Sequence, residues 1–174
     1  MLNLKGTISM QEINKSIIEA DTKYICHQCN CLTNHSAGLA LAIFNNFPYA
    51  NIYKIRPKQQ DWKQQVNILG TINVAGNGED QRFVINMLAQ LFPGKSKYPN
   101  SKIDGVSARE EYFKMCLEKI NKIPNLETIA FPEKIGCTMA GGNWEKYREM
   151  IQEFDSMTNA EVFLYNYQNG SLIV

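Results

Sequence analysis

Two histidines, one asparagine and two loops of small residues are the parts of this chain suited to reactive chemistry. An imidazole with an ordinary pKa near 6.5 can take or give a proton at neutral pH, so His27 and His35 are candidate acid–base groups. Asn30 lies between them and can both donate and accept a hydrogen bond. From Asn30 to Ser36 the chain is polar and small, and it then runs through Ala37 and Gly38 into the helical spacing of Leu39, Ala42, Ile43 and Phe47. A strand, a loop of small residues and a helix N-terminus direct backbone N–H groups and a positive dipole end at one point, which suits an anion and phosphate first of all. A second loop of the same character, Gly136-Cys137-Thr138-Met139-Ala140-Gly141-Gly142, follows another apolar run. Two such loops facing each other suit a ligand with two phosphates.

Each candidate has a plainer reading. His27 also reads as a core histidine on a strand, and the ring of His35 can simply pack on the surface. Gln90 can bond a ligand hydroxyl, orient a water or cap the end of a strand. Cys26-x-x-Cys29 invites a zinc or redox reading, but a strand points residues three apart to opposite faces, and no second cysteine pair follows at ligand spacing. Five cysteines, an odd number crowded towards 26–31, do not make a disulfide framework. Reduced thiols, no metal and no cofactor are therefore expected, in a cytoplasmic protein. A net charge of +1 gives no reason to propose nucleic acid as partner. No apolar run is long enough for a bilayer, and the first residues lack a signal-peptide core. The chain is read as a monomer of one domain over 1–174, large enough for a real core.

The elements that must position these groups follow from periodicity and punctuation. A short strand is expected at 2–5 and a helix over 9–20, with Ser9 as N-cap and Glu12 completing a capping box. The strand from Tyr24 is apolar enough to be buried between helices. Strands at 69–74 and 82–88 flank Gly76-Asn77-Gly78-Glu79-Asp80, a strong hairpin signal. The Pro- and Gly-containing stretch 90–104 is a long loop of the kind that often binds ligands. Ser107 and Glu110 form a second capping box ahead of a helix burying Phe113, Cys116, Leu117 and Ile120. A strand at 128–131 precedes the second loop, Asn143 caps a helix burying Trp144, Tyr147, Ile151 and Phe154, and strands at 162–165 and 172–174 close the chain. Strands alternating with capped helices predict a three-layer α/β/α fold with a mixed sheet, whose ligands lie beyond the strands' carboxyl ends.

The two loops, in this order and separation, resemble those of the macrodomain family, which binds ADP-ribose. His27-Gln28-Cys29-Asn30 falls on the family's Asn-Ala-Ala-Asn, and His35-Ser36-Ala37-Gly38-Leu39-Ala40 on its glycine run. Pro132, Ile135-Gly136-Cys137 and Trp144 match the second loop of the branch that includes ADP-ribose 1″-phosphate phosphatases, terminal ADP-ribose glycohydrolases and DNA de-ADP-ribosylating antitoxins. The resemblance implies a macrodomain over nearly the whole chain. It implies that Asn30 contacts the distal ribose hydroxyls, that 36–40 embrace one side of the diphosphate and distal ribose and 136–141 the other, and that Gln28, Cys29 and Ile135 are ligand-binding with them. Tyr165 would then stack on adenine, with Thr7 and Ile8 at the adenine edge. His27 matches a histidine of the phosphatases.

Departures from the pattern narrow the chemistry. Thr7 replaces an aspartate that accepts the adenine amino group in many members, and Gln90 stands where the glycohydrolases carry lysine. A glutamine cannot form a Schiff base or transfer protons as lysine does. Ala140 or a neighbour replaces the aspartate of their second loop. The expected function is therefore binding of ADP-ribose or a related NAD-derived nucleotide, with hydrolysis of a terminal group on the distal ribose, most simply the phosphate of ADP-ribose 1″-phosphate. The alternatives are a non-catalytic reader or sequesterer of such nucleotides, and a de-ADP-ribosylating hydrolase that works without the lysine.

Overall fold

The run Tyr24–Asn30 forms the strand at the centre of the sheet, buried along almost its whole length. The computed structural model describes residues 9–58, 61–63 and 67–166; the strands expected at 2–5 and 172–174, with Thr7 and Ile8, lie outside the described residues. In chain order the elements are β1 (Gln11–Ile13), β2 (Tyr24–Asn30), α1 (Gly38–Asn46), β3 (Thr71–Ala75), β4 (Phe83–Gln90), α2 (Val106–Ile120), β5 (Thr128–Pro132), α3 (Trp144–Met157) and β6 (Glu161–Tyr165). The sheet runs β1-β6-β5-β2-β4-β3, with every pair parallel except β3 and β4.

Alternation along β2 builds two cores. Tyr24 and Cys26 pack under α2 and α3 with Phe113, Ile151 and Phe154. Ile25, Cys29 and Cys31 pack under α1 with Ile43 and Phe44. The result is the expected α/β/α sandwich with a mixed sheet. Cys26 and Cys29 sit in opposite cores, and all five cysteines are free thiols. Among the described residues no group of three or more His, Cys, Asp or Glu side chains is placed to hold a metal ion, and no helix is long and apolar enough to cross a membrane.

The helix expected over 9–20 is not formed. Gln11–Ile13 is instead an edge strand registered on Phe163 to Tyr165 of β6, and a single 3-10 turn covers Ile17–Glu19. The capping box is real but lies one stretch later: the Ser16 hydroxyl accepts from Ile18 N–H, and Glu19 accepts from Ser16 N–H. An isolated twelve-residue helix has little stability of its own, and pairing with β6 satisfies the backbone of Gln11–Ile13 while Ile13, Ile17 and Ile18 still reach the core. Ser107 likewise caps nothing. The turn at 101–105 delivers Gly105 as N-cap, so α2 starts before Ser107. Asn143 does cap α3, accepting from Glu145 N–H at 3.0 Å.

Candidate functional site

Because β1, β6, β5, β2 and β4 are parallel, their carboxyl ends open on one edge of the sheet. A cavity of about 1,100 Å³ lies there. Its floor is Gln28 and Asn30 of β2 with Gln90 of β4. One wall is the first loop and the start of α1, with His35, Ala37, Gly38, Leu39 and Ala40. The opposite wall is the second loop, with Ile135, Gly136, Cys137, Thr138, Met139 and Ala140. Tyr165 closes the end of β6. These residues, expected from the sequence at one site, are brought together there.

Four expected contributors stand elsewhere. Ser36 and Gly141 do not line the cavity; Gly141 instead packs against the side chain of Lys95. His27 and Cys29 point from β2 into the core beneath α1. His27 is 1% exposed, its Nε2 lies 2.5 Å from Asn86 Oδ1, and its ring meets Phe44 edge-on. Cys29 Sγ lies 3.5 Å from His27 Nε2, and burial pushes the thiol pKa well up. Strand alternation sends these two side chains to the face away from Gln28.

Burial without a carboxylate partner lowers the His27 pKa to about 4, with the Asn86 hydrogen bond opposing the fall only in part. The imidazole is therefore neutral across the physiological range. The unfolded chain takes up a proton near pH 6.5 that the folded chain refuses until about pH 4, so His27 should contribute stability that is fully present above pH 6.5 and lost as pH falls towards 4. Urea unfolding at pH 4.5 and pH 7 should show a loss of about 2–3 kcal/mol from this group, and His27→Gln should remove that part of the acid dependence.

The first loop is held by Asn30, whose Oδ1 accepts from Leu32 N–H at 3.0 Å and Thr33 N–H at 2.9 Å. Arg56 Nη1 adds a third donor to that oxygen at 3.3 Å. With the oxygen committed to the loop, the amide nitrogen is the group Asn30 has to offer a ligand. A one-residue slip between β2 and β4 sets Asn30 opposite Gln90, a local bulge of the kind that re-aims side chains. Gln90 Oε1 accepts from Gln28 Nε2 at 2.8 Å, and its own Nε2 donates to Phe92 O at 2.9 Å. Gln90 thus braces the strand end while forming part of the floor.

His35 is exposed at the rim. Thr33 Oγ1 spends its single proton on His35 O at 3.0 Å and faces His35 Nδ1 at 3.1 Å, with Asn34 Oδ1 at 3.3 Å from the same nitrogen. With both neighbours accepting, a neutral ring protonated on Nδ1 would keep its lone pair on Nε2.

The second loop depends on Gly136, whose φ is +73°. A Cβ there would lie 2.6 Å from the Tyr147 ring and 2.7 Å from Gln28 Oε1. Gly136→Val should therefore cost at least about 2 kcal/mol through left-handed strain and overpacking, seen as a lowered Tm, and should misplace the loop amides. At the mouth, Met139 Sδ reaches the place a Cβ on Gly38 would occupy, so the two loops meet across the cleft. Arg109 donates to Gly94 O at 2.7 Å and Ala140 O at 3.3 Å, joining two more parts of the rim.

Pro93 and Gly94 of the 90–104 loop line the cavity as that loop's character suggested, whereas Lys15 to Glu19 and Tyr53 line it without having been expected there. Lys15 to Glu19 fall in the stretch whose spacing predicts a helix. The Ser16 capping box was the available signal, since it marks a turn at the end of an edge strand whose parallel partners all open on the site.

No protein-family model matches the chain, and no curated protein does either. Solved structures do. The macrodomain of Thermus aquaticus DarG aligns with 91% of this chain and 97% of its own, at 21% identity and a TM-score of 0.63. Thermosipho africanus DarTG in complex with ADP-ribose aligns over 95% of this chain and 43% of its own, at 14% identity and TM-score 0.65. An alphavirus P23pro-zbd chain aligns over 91% of this chain at TM-score 0.64 and 16% identity, and this chain spans only 22% of it. At these identities the likeness establishes the fold.

Proposed function

Taking the macrodomain fold as premise, we propose that this cleft binds ADP-ribose or a closely related NAD-derived nucleotide and hydrolyses a terminal phosphate on its distal ribose. The observation that carries this reading is the convergence of two loops, one entering α1 at Gly38 and one turning at Gly136, on a single cavity of about 1,100 Å³. Such a volume takes a dinucleotide-sized ligand. Backbone N–H groups of the two loops hold the diphosphate, the Asn30 amide nitrogen meets a ribose hydroxyl, and Tyr165 flanks the base. The ADP-ribose bound in the DarTG structure supports the choice of ligand.

For turnover, His35 is the fitting proton-transfer group, because it lines the cavity and, protonated on Nδ1, keeps a lone pair on Nε2. Nε2 accepts a proton from the attacking water as the new oxygen–phosphorus bond forms. The bond from phosphorus to the ribose oxygen breaks, that oxygen takes a proton from solvent while His35 Nε2 returns its own to solvent, and ADP-ribose and inorganic phosphate leave. His27 stands behind the strand, bonded to Asn86, and does not reach the cavity. The second reading, a binder without turnover, draws support from Gln90, whose amide is occupied by Gln28 and Phe92. Phosphorus NMR of the protein with ADP-ribose 1″-phosphate separates the two. Conversion to ADP-ribose and phosphate, lost in His35→Ala, is expected for the enzyme; shifted signals without conversion would leave the binder.

A further inference from the structure

Arg56 is 6% exposed, yet no carboxylate among the described residues lies within ion-pairing reach of it. Its guanidinium sits 4.3 Å above the Tyr53 ring, and every acceptor it meets is neutral. Nε and Nη2 both donate to Asn67 Oδ1, at 3.0 and 2.5 Å. Nη2 also donates to Asn30 O at 2.8 Å, while Nη1 donates to Thr33 O at 2.9 Å and Asn30 Oδ1 at 3.3 Å. A guanidinium has five N–H donors, and all five are used. Arg56 therefore has no donor left for a ligand. It grips both oxygens of Asn30 and the backbone of Thr33, and Tyr53 beneath it accepts from Asn30 N–H at 2.8 Å.

A buried cation without a counter-ion is costly unless something nearby offsets it. The side of Arg56 that faces the cleft meets Asn30 and Thr33, both of which line the cavity. We propose that Arg56 is the positioning residue of this site: it locks the Asn30 loop for the ligand's distal sugar, and its unbalanced charge makes that end of the cleft favour a nucleotide with a further anionic group on that sugar. The inference rests on the nucleotide-binding reading and adds which end of the ligand is selected, by which residue and for what charge.

Calorimetry with ADP, ADP-ribose and ADP-ribose 1″-phosphate tests it on protein that is wild type at position 56, Arg56→Lys and Arg56→Gln, all carrying His35→Ala so that the 1″-phosphate is not turned over, each first shown folded by thermal unfolding. Wild type should bind the 1″-phosphate at least 10-fold more tightly than ADP-ribose. Arg56→Gln should lose that preference and at least 10-fold of ADP-ribose affinity, while ADP, which lacks the second ribose, changes less than 3-fold. Arg56→Lys should keep the preference for the 1″-phosphate at lower overall affinity. A parallel loss of all three ligands in Arg56→Gln would make Arg56 merely structural and overturn the proposal, as would unchanged binding. Wild type that binds none of the three would overturn the nucleotide reading and this inference with it.

Discussion

Arg109→Leu should lower the unfolding free energy by about 3–5 kcal/mol, the usual consequence of leaving one member of a buried ion pair without its partner. Arg109 and Asp104 have side chains only 3% and 7% exposed and meet at 2.7 Å. The carboxylate also takes Leu91 N–H at 2.7 Å and Phe92 N–H at 3.3 Å, so it organises the chain as it leaves β4. The guanidinium returns bonds to Phe92 O, Gly94 O and Ala140 O. Removing it strands the Asp104 charge and frees both rim segments that line the cavity. Urea unfolding is the measurement. Asp104→Asn in the same background should cost much less than it does alone, because the two residues act as a unit.

Asn30→Asp should separate binding from folding. The carboxylate can still accept from Leu32 N–H, Thr33 N–H and Arg56, and it gives Arg56 the anion it lacks. The variant should therefore be at least as stable as wild type. It nevertheless loses the amide donor and sets a negative charge near a diphosphate. ADP-ribose affinity should fall at least about 100-fold, equivalent to roughly 2.7 kcal/mol. Asn30→Ala removes the loop's acceptor as well, so it should lose stability together with affinity. Equal binding by wild type and Asn30→Asp would remove Asn30 from the site.

What could be read in the residues was the strand, loop and helix at 24–46 and the matching unit at 128–157. There local signals agree with tertiary need: apolar strands, small loop residues, helical stripes, and Asn143 as cap. The departures have one cause. Spacing alone does not tell which neighbour a segment will pair with. The 9–20 stretch carried a helical pattern but gained more from β6, and Ser107 had the right offset from Glu110 but stood one turn inside a helix started by Gly105. Alternation along β2 could have set His27 apart from Gln28, since consecutive side chains take opposite faces. Which face carries the cleft depended on α1 packing its Phe44 against His27, a long-range packing fact. Arg56 was invisible for the same reason, because its partners Asn30 and Asn67 lie 26 and 11 residues away.

The central claim is that the cleft between the two loops holds an ADP-ribose-type nucleotide. Isothermal titration of the wild-type protein with ADP-ribose, with Asn30→Asp and Gly136→Val alongside, tests it most directly. Saturable one-to-one binding by wild type, lost in both variants while Asn30→Asp keeps its Tm, is the predicted result. The absence of saturable heat with millimolar ADP-ribose, or binding that survives both substitutions, would contradict it.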